Sequence, residues 1–246
     1  MKAVAIALAL LGTLIMLSPF AVVPPTKVLE EMGDREVLFA VWLSLATSLV
    51  STALVLSLAL PTAYSLSRGF AGSGLVEALL SAPNALPPVA VGALLLIFFS
   101  RTPIGQLVDS VIPIVFSVPG IIIAQASVTF PLALKPLRSA MRGLHEDVLL
   151  MARTLGCTNF CLFKKIILPS ISNTLKSSSV LVFTRSLAEF GATVTLAGSI
   201  RFKTETLPIA IYLNMSSGNL EKMIALITLA SFLGFALLSL SKRWES

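Results

Sequence analysis

Arg185 and Glu189 stand four residues apart inside an apolar stretch, a spacing that sets a guanidinium and a carboxylate on one face of a helix. Charge is costly in hydrocarbon, so such a pair packs inside a bundle or lines water. Two roles stay open: part of a gate or ion path, with Phe190 and Gly191 beside it, or a structural pin, since Gly191 and Ala192 also suit close helix packing. Cys157 and Cys161 allow a disulfide, metal ligation or simple packing. No further Cys or His ligand accompanies them, and Lys164 and Lys165 point to a reducing compartment, so two packed thiols are expected. His145, the single histidine, and Glu77, near a helix end, read as solvated; Lys176 reads as a snorkelling side chain at the membrane surface. The sequence holds no G-x-x-x-x-G-K-[ST] loop, no H-E-x-x-H, no G-x-S-x-G and no Cys/His cluster. The chain is therefore not expected to be an enzyme, and no catalytic residue, cofactor or metal is expected.

These residues need a scaffold, and composition says which. Of 246 residues, 56% are hydrophobic and 12% charged, with a mean hydropathy of +0.93, far from a soluble domain in which about a quarter of residues are charged. The apolar residues form runs long enough to cross about 30 Å of hydrocarbon. Six spans are expected, near 3–23, 37–66, 75–99, 111–134, 171–197 and 223–240. Pro83, Pro87, Pro88, Pro113, Pro119 and Pro131 make the third and fourth candidates for kinks or breaks. The first run continues through Phe20 and Val23 without a small-x-small cleavage site, so it reads as a span and not as a signal peptide.

With the N-terminus inside, ten Lys and Arg fall in cytoplasmic segments and six in outer ones, which predicts that both termini are cytoplasmic. The net charge of +6 lies in short loops between apolar runs, so it reports topology; a nucleic-acid partner is not expected. The chain is taken as a single domain over 1–246. Its outstanding polar excursion, about 136–168, is basic and partly helical and longer than a turn requires, which favours a contact surface over the alternative, a merely solvated loop.

That excursion holds Leu150-Met151-Ala152, Gly156 three residues on, and Ile166-Ile167-Leu168-Pro169 nine further. The spacing resembles the cytoplasmic signature of ATP-binding-cassette importer permeases, E-A-A, three residues, G, nine residues, I-x-L-P. Ala152-Arg153-Thr154-Leu155-Gly156 fits it well, whereas Leu150 stands in place of the usual Glu. Glu146 and Asp147, one turn earlier, either supply the acidic contact or favour the helix N-terminus through its dipole. Gly156 suits a left-handed helix end and Pro169 the start of the next membrane helix. A second likeness is to molybdate permeases: Arg185-Ser186-Leu187-Ala188-Glu189-Phe190-Gly191-Ala192-Thr193, then Thr206-Leu207-Pro208-Ile209-Ala210-Ile211-Tyr212, with Leu86-Pro87-Pro88-Val89-Ala90-Val91-Gly92 upstream. Sulfate permeases share the E-F-G-A core.

The resemblance implies an all-α membrane protein of the type I importer permease fold, whose short cytoplasmic helix docks on a separate ATPase subunit. It implies import of an oxyanion, molybdate or tungstate in the first place and sulfate or thiosulfate as the alternative. An extracytoplasmic binding protein would deliver it, and a second copy of the chain would complete the pathway in a homodimer. A channel or secondary carrier would need polar rings at mid-depth or an inverted repeat, and neither is visible.

Overall fold

The computed structural model describes residues 2–144 and 146–245, which are helical and carry no strand among the described residues. In chain order α1 (Lys2–Leu17) is followed by α2 (Pro25–Glu31), α3 (Arg35–Arg68), α4 (Ser73–Ser81), α5 (Pro88–Arg101), α6 (Pro103–Val111) and α7 (Val118–Arg142). Then come α8 (Glu146–Thr154), α9 (Asn159–Leu162), α10 (Leu168–Ser170), α11 (Ser172–Leu187), α12 (Gly191–Ala197), α13 (Leu207–Ser216) and α14 (Leu220–Glu245). Four stretches are long and apolar enough to cross a bilayer unaided, and there are up to six crossings when each of two bent pairs counts as one.

The departures from expectation have local causes. The third span is not one rod: Ser73–Ala85 and Pro88–Arg101 meet at 113°. Pro87 and Pro88 cannot donate backbone hydrogen bonds, and Leu86 before them is extended, which ends the first piece. The fourth span starts at Val118 instead of 111, because Asp109 takes the amides of Ile114 and Val115 (2.7 and 2.9 Å) and holds a loop there. The same helix runs on to Arg142, so 136–142 belong to a membrane helix and not to the polar excursion; buried Leu134, Leu137 and Met141 continue its inward face. The fifth span begins at Ser172, three residues past Pro169, after a 76° bend, and it breaks at 188–190 before α12.

Helices α3 and α7 form the main pair, with α11 against both. At one end Leu66, Leu137, Met141, Leu149, Ala152, Leu162 and Ile167 make a continuous apolar core that seats α8 and α9. At the opposite end the starts of α3 and α14 meet the 198–206 loop. Helix α1 stands apart, with no residue of Val4–Ala21 buried.

Candidate functional site

Helix α8 buries Leu149 and Ala152 and leaves Asp147, Leu150, Met151, Arg153 and Thr154 exposed. The side chain of Glu146 and the whole of His145 lie outside the described residues. The helix ends in a Schellman motif: the Cys157 amide donates to Ala152 O (3.0 Å) and the Gly156 amide to Arg153 O (3.0 Å). That geometry places Gly156 at φ +80°, as the sequence required. The chain reverses, Thr158 caps α9 through the Cys161 amide, and Leu155 (87% exposed) and Phe160 (74%) project on either side of the turn.

Cys157 and Cys161 are joined as a disulfide, with Cα atoms 5.5 Å apart, contrary to the expectation of two packed thiols. The reversal at Gly156 followed at once by a new helical turn brings both Cβ atoms to one side. A π turn, Phe163–Ile167, carries Lys164 and Lys165, and Leu168 and Pro169 lie in the single turn of α10, half-buried and exposed.

The Arg185 and Glu189 pair exists, but it spans a break and not one helix face. Arg185 sits in the last turn of α11, beyond which the chain leaves helical geometry at Ala188. Its guanidinium is 2.7 Å from Glu189, whose side chain is 1% exposed against 34% for Arg185. Glu189 also accepts from the Ala192 amide (3.0 Å), so it caps α12. The cation sits at the C-terminal end of one helix and the anion at the N-terminal end of the next, each where the helix dipole favours it.

Three stretches distant in sequence converge on this break. A Cβ on Gly191 would meet Val89 at 3.0 Å, and one on Gly92 would meet Ala192 O at 2.7 Å, so α5 and α12 approach backbone to backbone. Phe190 packs on Tyr212, with ring centroids 5.2 Å apart. The three motifs that carried the resemblance therefore meet at one place.

A hydroxyl seam escaped the sequence reading. Ser44, Thr47, Ser48, Ser51 and Thr52 on α3 are buried against Gln125 and Thr129 on α7 and Ser186 on α11. Gln125 reaches Thr47 (3.4 Å) and Ser48 (3.5 Å), Ser186 reaches Thr129 (3.5 Å), and Ser44 accepts from the Leu207 amide (2.6 Å). The signal was the spacing of the α3 hydroxyls at three and four residues, one helix face, which suits interhelical bonding in lipid. Glu77, expected to be solvated, is half-buried in an ion pair with Arg138 that ties α4 to α7.

The profile of the family described as "Binding-protein-dependent transport system inner membrane component" matches residues 55–244. The chain is 33% identical over 218 residues to the sulfate transport system permease protein CysW of Escherichia coli (strain K12), covering 87% of this chain and 72% of that one. It is 38% identical over 177 residues to the molybdenum transport system permease protein ModB of the same strain, covering 70% and 77%. The ModB of Mycobacterium tuberculosis is likewise 38% identical, over 179 residues, 71% of this chain and 67% of its own. A bacterial ABC transporter involved in the import of the acidic polysaccharide alginate shares the fold, with a TM-score of 0.72 over 99% of this chain and 94% of its own at 15% identity.

Proposed function

The chain belongs to the family of binding-protein-dependent transport system inner membrane components, and from that premise we propose that it is the membrane subunit through which an ATP-driven importer passes molybdate or tungstate. The observation that carries the reading is α8 and the turn after it: a helix seated by Leu149 and Ala152, with Val148, Leu150 and Met151 bare along it, Leu155 bare in the turn and Phe160 bare in α9. Five exposed apolar side chains on a polar excursion are what a separate subunit can grip. That subunit is the ATPase, which makes the α8 end and both termini cytoplasmic. The disulfide stands on the same face, where reducing conditions open it.

The oxyanion arrives on an extracytoplasmic binding protein at the opposite end, and two copies of the chain enclose its path. The Arg185–Glu189 break acts in opening and closing that path. It is no tight anion site, since Glu189 already neutralises Arg185 and would repel a dianion. The motif at 206–212 favours molybdate and tungstate; the relative at 33% identity named for sulfate supports sulfate as the second reading.

Proteoliposomes carrying the permease with its ATPase test this, with binding protein charged with labelled molybdate, tungstate or sulfate added outside. ATP-dependent accumulation of molybdate or tungstate is expected. Accumulation of sulfate alone transfers the assignment to sulfate, and anion movement by the lone chain without the ATPase would make it a channel or secondary carrier.

A further inference from the structure

At the end opposite α8, the starts of α3 and α14, the end of α2 and the 198–206 loop meet in a cluster of charge. Lys222, in the first turn of α14, lies 3.2 Å from Glu36 and 3.3 Å from Asp34, with Glu31 of α2 at 4.0 Å. Arg201 of the 198–206 loop reaches the other oxygen of Glu36 at 3.4 Å. Glu205, four residues along the same loop, is fully buried, and neither of its carboxyl oxygens accepts a hydrogen bond of good geometry. Its neighbour is the carboxyl of Glu36, itself 8% exposed.

Charge matching makes Glu205 the odd member. Arg201 and Lys222 face Glu36; Asp34 and Glu31 are partly solvated, and Arg35 and Lys203 are exposed. Lys27 is engaged with Glu221, and α13 brings no charged residue. An ionised Glu205 would thus be a buried anion beside another anion with no cation of its own, which is expensive. Among the described residues no group of three or more His, Cys, Asp or Glu is placed to hold a metal ion, so the occupant that fits is a proton.

We propose that Glu205 holds a proton beside the Glu36 carboxyl, in a buried site that latches the 198–206 loop onto the starts of α3 and α14. The loop is ordered by bonds of its own, Thr204 to Ile200 in both directions (2.9 and 3.1 Å) and the Leu207 amide to Ser44 on α3. Loss of the proton drives the two carboxylates apart and loosens what those bonds hold. Burial first, and the Glu36 carboxyl second, push the Glu205 carboxyl up from 4.5 to about 7; Arg201 and the Phe202 amide act against this without offsetting it. A carboxyl raised in the folded state contributes stability that is complete below about 4.5 and is lost as pH rises through about 7. On the reading given above, this is the face that receives the binding protein, so the latch makes docking proton-dependent.

Hydrogen exchange of the 198–206 amides, in the purified permease–ATPase complex and corrected for intrinsic rates, tests the latch apart from any transport. Protection is expected to fall about tenfold between pH 6 and pH 8 in the wild type, and Glu205→Gln, an isostere of the protonated acid, should hold its protection at pH 8. Glu36→Gln serves the same end if Glu205→Gln does not fold. Constant protection across this range in the wild type, or an unchanged pH response in the folded variants, overturns the proposal. If exchange behaves as expected while the complex transports no oxyanion, the latch stands and the transport reading falls.

Discussion

Replacing Glu189 by Ala removes two bonds at once, the ion pair to Arg185 and the cap on the Ala192 amide. A half-buried cation and a helix end are left unpaired, so the loss should be about 2–4 kcal/mol. Thermal unfolding in detergent measures it. Glu189→Gln keeps an acceptor for the amide and should cost less. In a double-mutant cycle with Arg185→Gln, the two neutral amides should recover part of what either single change loses; simple additivity would show that the residues act independently. The pair itself was legible from its spacing, because ionisable groups in an apolar run must find each other. That it straddles a break was not. Arg185-Ser186-Leu187-Ala188-Glu189 has no Pro and no Gly before Gly191, and the helix gives way where buried Glu189 turns to accept from the Ala192 amide. Glu205 was less visible still. A carboxylate between Lys203 and Pro208 reads as a solvated loop residue, and only the fold, which buries it beside Glu36, removes the water.

Among the elements, α5 and α12 are bound by the closest backbone approach of the convergent motifs. A methyl group on Gly92 would lie 2.7 Å from Ala192 O and 2.9 Å from Thr195 Cβ, and these are atoms of the facing helix that cannot rotate away. Gly92→Ala should therefore destabilise by about 1–3 kcal/mol, whereas Gly74→Ala, which faces open space, should not. The two unfolding temperatures decide. At Gly156 the reverse holds: no atom stands within 4 Å of an added Cβ, and the obstacle is φ +80° alone. Gly156→Val should strain the α8 turn by about 1–2 kcal/mol or more and uncouple ATP hydrolysis from import, while Gly156→Asn, which tolerates this region, should retain coupling. Wild-type import by a folded Gly156→Val protein would remove the docking role from α8. Gly156 was legible because helix ends have a sequence grammar. The bend between α4 and α5 was half legible: Pro83, Pro87 and Pro88 announced a break, but not its 113°.

For the whole molecule, the Lys and Arg imbalance predicts that reporter fusions at Ser246 and within 27–36 report opposite compartments; the same compartment for both would mean a miscounted span. The number of crossings followed from composition, since apolar length is additive along the chain. The ends of the crossings depended on tertiary burial and moved by several residues. One consequence concerns the order in which the chain is made. Helix α11 is a poor membrane segment taken alone, with Ser172, Asn173, Lys176, Ser177, Ser178, Ser179 and Arg185 among its 16 residues. An Arg at the centre of a segment disfavours release into lipid by about 2.5–3.5 kcal/mol, and Arg185, in the last turn of α11, together with Lys176 adds part of such a penalty. Its contacts in the fold are chiefly α7 and α3, and both are synthesised before it. Thr129 on α7 is thus already in the bilayer when Ser186 emerges from the ribosome, and Glu189 follows Arg185 by four residues. The fifth crossing enters the membrane as a guest of the second and fourth, so a nascent chain lacking α3 and α7 should leave α11 in water.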